Sequence, residues 1–425
     1  MIFSLDVRRA RKGDCLIVHY GTADDPGLIL IDGGPAKVYQ PHLKPRLAEI
    51  KKKRGLGAAD SLPVDLLMVS HIDDDHINGI LELTRELVDA KDSNEKLPLR
   101  IRDFWHNTFD DIIGNNPKEL LAAVTASFGA ASLTGEPDEE GLEPEAARVL
   151  ASVGQGFRLR DDARKLNFRV NRQFNEALVM ATEDGEPVVI GKGLKFTVAG
   201  PLQPELVALQ KDHDAFLKKK KEDKETTAAL AAFSDTSVAN LSSLVLLAEV
   251  EVDGETKTML LTGDARGDKI LKGLELVGLL DDDGKMHVNI LKMPHHGSDR
   301  NMDQKFLERI TADHYVFSGN GEHGNPERET LQMLLDANGD ADFTIHLTYP
   351  VDEIDVDREK DWKKEQEKEK KRKLKNPATV VREDWSPGKN SLASFFAAHP
   401  DFAKKVRIVD KDAAHVIDLL DPLGF

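Results

Sequence analysis

Val64-Asp65-Leu66-Leu67-Met68-Val69-Ser70-His71-Ile72-Asp73-Asp74-Asp75-His76 is the stretch on which the reading of this chain turns. Residues 64–69 have the length and apolar character of a buried strand, and Ile77-Asn78-Gly79-Ile80-Leu81-Glu82-Leu83 reads as the helix that follows. His71, Asp73, Asp75 and His76 therefore fall within six consecutive positions on a strand-to-helix turn. Such a turn can hold an open coordination position rigidly. Neutral imidazole nitrogen with carboxylate oxygen suits zinc, and a carboxylate-heavy set also suits manganese or iron. The competing reading is a solvated acidic loop with two incidental histidines. His-x-Asp-x-Asp-His directly after a buried strand weighs against it.

The same arrangement recurs downstream. Ser242 to Val250 and Thr258 to Thr262 flank Asp253-Gly254, a strong hairpin signal, and the second run ends at Gly263-Asp264. The run His287 to Met293 ends at Pro294-His295-His296-Gly297-Ser298. His314 to Ser318 ends at the Gly-rich turn that carries His323. Three short runs, Phe3 to Val7, Asp14 to Tyr20 and Leu28 to Gly34, read as the opening strands. Carboxylate or imidazole side chains thus follow strand after strand, and strand ends at one edge of a sheet are where α/β folds place chemistry. The candidate metal ligands are His71, Asp73, Asp75, His76, Asp264, His295 and His296.

Composition narrows the class. A chain of 425 residues with 40% hydrophobic content can bury a sizeable core. It contains no run of about 18 apolar residues to span a bilayer, and Met1 to Val7 reads as a strand rather than a signal peptide. The single cysteine, Cys15, excludes an internal disulfide and a Cys-cluster zinc site, and its apolar neighbours suggest a small buried role. A cytoplasmic location with no membrane association is expected. The net charge of −17 argues against indiscriminate nucleic-acid binding, although basic runs occur at Arg8 to Lys12, Lys218 to Lys221 and Lys363 to Lys375. Such runs usually mean a solvated helix face. We divide the chain into a catalytic unit over 1–340, with an insertion at about 115–195, and a C-terminal extension over 341–425 with a charged helix-like segment.

The order of these motifs resembles the metallo-β-lactamase fold superfamily, and more closely its ComEC-like branch, typified by the hydrolase domain of a bacterial DNA-uptake channel protein. The resemblance rests on Leu5-Asp6-Val7 with Gly13-Asp14, Leu30 to Gly34, Ser70 to His76, Asn240 to Leu244, Leu261 to Asp264, Leu291 to Ser298 and His323-Gly324-Asn325-Pro326. It implies a four-layer αββα sandwich and a hydrolase that works through a metal-activated hydroxide. Two departures stand out. The superfamily's usual second histidine is Asp73 here, a change shared with the ComEC-like branch. The usual third histidine is missing, since no histidine occurs between His213 and His287 and the matching place holds Asn240 to Ser243. One tight site of Asp75, His76, Asp264 and one of His295/His296 is therefore expected. A weaker second site would have His71 and Asp73, with Asn240 as a weak ligand or substrate contact. His106, beside Trp105, is either a substitute ligand or a packed histidine. Zn²⁺ or Mn²⁺ is the implied cofactor.

Further roles follow from the resemblance. Asp75 can orient the attacking water, and whichever of His295/His296 is free of metal can contact substrate or protonate the leaving group, as can His323. Ser298, with Arg300 nearby, can hold an anionic group. Asp14 and Asp32 either fix ligand orientation or are plain turn residues. The branch favours a phosphodiester substrate, nucleic acid or a nucleotide. The alternatives are a hydrolase of a lactone, ester or amide, and an inactive metal-binding module whose C-terminal region docks a protein partner.

Overall fold

The computed structural model describes residues 1–107, 144–183, 185–207, 242–410 and 413–425. The opening runs pair in chain order: β1 (Ile2–Val7), β2 (Leu16–Gly21) and β3 (Pro26–Ile31) form an antiparallel meander. β4 (Leu62–Met68) and β5 (Leu99–Trp105) then add in parallel, with β6 (Arg169–Val170) at the edge. Parallel neighbours need crossover connections, here α1 (Lys44–Lys53) and α2 (Asp74–Asp92). The second sheet is built from β7 (Val188–Gly191), β8 (Leu194–Gly200), β9 (Val245–Val252), β10 (Glu255–Leu261), β11 (Met286–Lys292), β12 (Ile310–Phe317), β13 (Thr344–Leu347) and β14 (Val406–Ile408), each hydrogen-bonded to the next. β9 and β10 are the expected hairpin. Asp253 and Gly254 take φ of +53° and +85° at its turn, the left-handed pair that a two-residue hairpin loop requires.

Alternation along the strands sets the layers. Leu28 and Leu30 of β3 pack outward with Leu67, Ile80, Leu83 and Leu159, beneath α1, α2 and α3 (Pro144–Leu166). Ile29 and Ile31 face the other way, into a layer that includes Phe3, Val18 and Trp105 of the first sheet and Phe196, Met259 and Ile290 of the second. The outer face of the second sheet buries Leu260 and Leu291 against α4 (Gly267–Leu276), α5 (Gln304–Arg309) and α6 (Arg328–Asn338). The result is helix, sheet, sheet, helix: the four-layer αββα sandwich that the resemblance implied.

Residues 341–425 are woven into both sheets rather than appended to them. β13 and β14 extend the second sheet, and β15 (Val416–Asp418) pairs with β1 of the first, placing Val416 opposite Asp6. Between β13 and β14 runs the charged helix α7 (Val351–Lys375), of which only Ile354, Arg358 and Gln366 are buried, followed by α8 (Leu392–Ala398), which seals the outer core with Leu392 and Phe395. Of the insertion expected at about 115–195, residues 115–143 and 184 lie outside the described residues. Its later part packs on the core, where Asp162 of α3 accepts a hydrogen bond from Thr84 Oγ1 at 2.9 Å. Cys15 is buried as expected, and burial pushes its thiol far above the usual range. Among the described residues no helix is long and apolar enough to cross a membrane.

Candidate metal centre

The C-terminal ends of β3, β4, β10, β11 and β12 meet at one edge of the sandwich. Ser70 follows β4 and its carbonyl accepts from Leu244 N at 2.9 Å, joining the two sheets there. The first turn of α2 presses on the loop after β3. Gly33 N donates to His76 O at 2.8 Å and Gly79 N donates to Gly34 O at 2.9 Å. A Cβ at Gly33 or Gly79 would overlap the backbone of the other, so this approach requires glycine at both positions. His295 and His296 lie in the turn after β11 with φ of +47° and +56°. Two consecutive left-handed residues are unusual outside glycine. Here they bring both imidazoles to the centre.

Asp264, 2% exposed, is the hub. Its Oδ1 lies 3.2 Å from His76 Nε2 and 3.4 Å from His296 Nε2. Its Oδ2 lies 3.8 Å from His71 Nε2 and 3.6 Å from His295 Nε2. Asp73 Oδ2 is 3.7 Å from His71 Nε2. Ligand atoms of His71, His76 and Asp264 all lie within 4.8 Å of one another, as do those of Asp75, His76 and His296. Each oxygen of the carboxylate therefore faces its own pair of imidazoles.

The outer ring fixes how those imidazoles point. His76 Nδ1 lies 2.8 Å from Asp32 Oδ2, and Asp32 also accepts from Ser70 N at 2.7 Å and Ser70 Oγ at 2.6 Å. A carboxylate can only accept, so His76 carries a proton on Nδ1 toward Asp32 and turns Nε2 toward Asp264. Ser70 Oγ, its proton committed to Asp32, is free to accept from His71 Nδ1 at 3.1 Å. Ser318 Oγ donates to Asp14 and accepts from His296 Nδ1 at 3.2 Å. His295 Nδ1 meets the amide oxygen of Asn301 at 2.8 Å. All four rings thus turn Nε2 inward. Nε2 of His71, His76 and His296 and Oδ1 of Asp264 are buried with no hydrogen-bond partner among the described residues. Orphaned buried acceptors converging from several strands fit a divalent cation, whose ligands must be deprotonated and oriented in this way.

Without a cation the centre must satisfy its charges internally. Burial pushes the His71 imidazole down to about 3, helped by the neighbouring His76. Burial also acts against protonated His76, but the Asp264 and Asp32 carboxylates outweigh it and hold that ring well above the ordinary value. His296 is raised in the same way by Asp264 and Asp14. Asp264, despite burial, is held well below its ordinary value by His296, His76 and His295. Binding a cation would replace the protons of this buried set.

Asp14 and Asp32, ambiguous in sequence, both lie behind imidazoles of the cluster, Asp32 at His76 Nδ1 and Asp14 through Ser318 Oγ at His296 Nδ1. Ser298 is buried on the His295–His296 loop, its N–H donating to His295 O at 2.9 Å. Asn240 lies outside the described residues; the nearby Ser243 supplies Oγ to Asp264 N at 3.2 Å. His323 is exposed on the turn Glu322–Gly324 and stands outside the buried cluster; Asn325 reaches the site instead, donating from Nδ2 to His295 O at 3.2 Å. His106 belongs to none of these ligand groups. Sequence reasoning missed Lys292, which is 1% exposed and ion-paired with Asp14, 3.9 Å from Asp264 Oδ1. Its signal was a lysine at the end of an apolar strand directly before Pro294-His295-His296. Ser318 and Asn301 gave no such signal.

No family model matches this chain. Microtubule-associated protein 1A of Rattus norvegicus and of Mus musculus are each 30% identical to it over 105 residues, 24% of this chain. The chain spans about 4% of the length of those curated relatives. Among solved structures, MEM-A1, a subclass B3 metallo-beta-lactamase isolated from a soil metagenome library, is 17% identical, with 70% of this chain and 80% of that chain covered. The TM-score is 0.28, at which the likeness decides nothing about this chain.

Proposed function

We propose that this chain is a metal-dependent hydrolase of the metallo-β-lactamase fold superfamily, resembling its ComEC-like branch, and that it cleaves phosphodiester bonds in nucleic acid or a nucleotide. The observation that carries this reading is Asp264, whose two oxygens each face a pair of imidazoles, three of the four Nε2 atoms being buried and orphaned. Asp75, His76, His296 and Asp264 Oδ1 would hold one Zn²⁺ or Mn²⁺ firmly. His71, Asp73, Asp264 Oδ2 and His295 would hold a second more weakly, so His295 takes the place of the superfamily histidine absent before the hairpin.

A bound divalent cation supplies Lewis acidity and lowers the pKa of a coordinated water to about 7. Asp75 and Asp73 orient the attacking water. The His295 side chain, 28% exposed, faces solvent and is placed to carry a proton at Nε2 to the leaving oxygen when it does not bind metal. The protein is proposed to act in the cytoplasm.

The test is turnover after metal removal and resupply of Zn²⁺ or Mn²⁺, using bis(p-nitrophenyl) phosphate, single-stranded DNA and a lactone, with His76→Ala alongside. Cleavage confined to the phosphodiesters and lost in His76→Ala is the expected result. Turnover of the lactone alone would select the ester and lactone alternative, and metal binding without turnover of any substrate would leave the interaction module.

A further inference from the structure

A second feature opens beside the metal centre. α3 and the segment around β6 enclose an open-sided cavity of about 710 Å³, lined by Arg160, Arg164, Arg169 and Arg172. Among its described lining residues Glu176 is the single acid. This local excess of positive charge stands against a net charge of −17 over the chain. Arg169 is partly committed, since it donates to Arg102 O at 2.9 Å and lies 3.3 Å from Asp103. The contact of Arg164 with Asp161, at 3.6 Å and with both side chains about two-thirds exposed, is too screened to cancel its charge.

The back of the cavity is His106. It is 1% exposed, and neither ring nitrogen has a hydrogen-bond partner among the described residues. Burial, and then Arg160, push it down to about 3, so the ring is neutral and carries one N–H donor. Asn171 fixes its backbone, accepting from His106 N at 3.1 Å and donating to His106 O at 2.8 Å. Phe168 adds an aromatic face to the wall.

Position ties this cavity to the proposed chemistry. Val69 N donates to Trp105 O at 3.0 Å, so the ends of β4 and β5 lie side by side. His71 leaves one strand two residues on, and His106 leaves the next strand one residue on. Adjacent strands are about 4.8 Å apart. His106, and with it the cavity wall, therefore stands at the same strand-end edge as His71, one strand over.

We infer that this cavity binds the phosphate chain of a single-stranded oligonucleotide beyond the scissile bond, an inference that rests on the phosphodiester reading above. Guanidinium forks match phosphate oxygens two at a time, the His106 N–H supplies a further donor, and Phe168 offers a stacking surface for a base.

The experiment is fluorescence anisotropy of a fluorescein-labelled dT oligonucleotide with the metal-free full chain, across a range of salt concentrations. R164E/R172E, which changes two exposed side chains, is expected to weaken binding by about 10-fold or more and to flatten the salt slope. K370E/K373E on α7 is expected to bind as wild type does. R172E alone, with a weaker loss in the same direction, serves if the double variant melts early. Absence of binding by wild type, equal binding by R164E/R172E and wild type, or a loss that follows K370E/K373E instead would each overturn the inference. If the metal-loaded wild type cleaves bis(p-nitrophenyl) phosphate while the arginine variants bind normally, the pocket assignment fails and the phosphodiester reading stands. If neither phosphodiester is cleaved, that reading fails whatever the anisotropy shows.

Discussion

On one side of Asp264, His76 and His296 are buried rings with carboxylates close to Nδ1: Asp32 accepts from His76 Nδ1 at 2.8 Å, and Asp14 lies 3.4 Å from His296 Nδ1, behind the Ser318 Oγ that accepts from that ring. Those carboxylates are themselves tied down, Asp32 by Ser70 and Asp14 by Lys292 and Ser318. On the other side, His71 and His295 are backed by neutral oxygens, Ser70 Oγ and Asn301 Oδ1. There the Asp73 and His295 side chains are 30% and 28% exposed. An anionic partner fixes the tautomer of a ligand histidine and raises its basicity, whereas a neutral one only fixes the tautomer. One bridging carboxylate thus joins a braced ligand pair to an adjustable one. The braced half is suited to keeping a cation, and the adjustable half to exchanging one or making room for substrate.

The largest effect should come from removing what the halves share. Asp264→Ala deletes the oxygens facing all four imidazoles. It should abolish retention of metal by either half and lower phosphodiester turnover by about 10³-fold or more, given that such a cation is worth several kcal/mol and each 1.36 kcal/mol is a decade in rate. Elemental analysis after dialysis, together with turnover at saturating Mn²⁺, measures both. Retention of one full equivalent by Asp264→Ala would mean the halves are independent and the carboxylate is not their hinge.

A more discriminating pair of variants acts behind the ligands. Asp32→Asn keeps the shape of the partner of His76 but removes its charge, and should weaken the tighter equivalent of metal by about 10–100-fold, the usual cost of losing such a partner. Asn301→Ala removes a neutral partner from His295 and should leave the tighter equivalent unchanged while weakening the looser one. Competition against a chelator indicator resolves the two equivalents. Equal losses of the tighter equivalent in both variants would erase the asymmetry.

Sequence carried much of this centre because its ligands follow strands immediately. Each apolar run announced where a strand ended, and His71 to His76, Asp264 and His295-His296 came next in line. The four layers came from the resemblance carried by those motifs; the uniformly apolar Leu28 to Ile31 marks a strand buried on both faces but does not say what covers each face. What remained hidden depends on strands far apart in the chain. Ser318 reaches Asp14 across 304 positions, and Val416 joins β1 at the opposite terminus. No local pattern encodes such pairings, which is why residues 341–425 read as an extension. The pairing of His295 with Asp264 Oδ2 depends on two consecutive left-handed residues, and a His-His-Gly sequence alone does not fix which ring points where.

The smallest effect concerns the loop that carries the adjustable half. Glu327 caps the start of α6, its N–H donating to Gly297 O at 3.1 Å, and its carboxyl is pushed up to about 8 by burial and by Asp299, with Arg300 opposing. Asp299 lies between His295 and Asn301, so the Glu327 carboxyl sits beneath that loop. An unfolded glutamate titrates near 4.3. A carboxyl whose folded pKa is raised contributes stability that is fully present below the unfolded value and is lost as pH rises through the folded one. For Glu327 the window therefore runs from about 4.3 to about 8. In metal-free protein, Glu327→Gln should flatten the fall in Tm between pH 5.5 and pH 8 relative to wild type. The difference should stay within several degrees, because 1 kcal/mol moves Tm by only about 2–4 °C in a domain of about 150–250 residues and by less in a longer chain. Comparing the variant with wild type at both pH values cancels the titration of the metal ligands, which both proteins share. Parallel Tm profiles would place the proton elsewhere and leave the looseness of the His295 side to Asn301 alone. A flattened profile would add a second source, a buried glutamate under the loop whose ionisation costs stability as the pH rises.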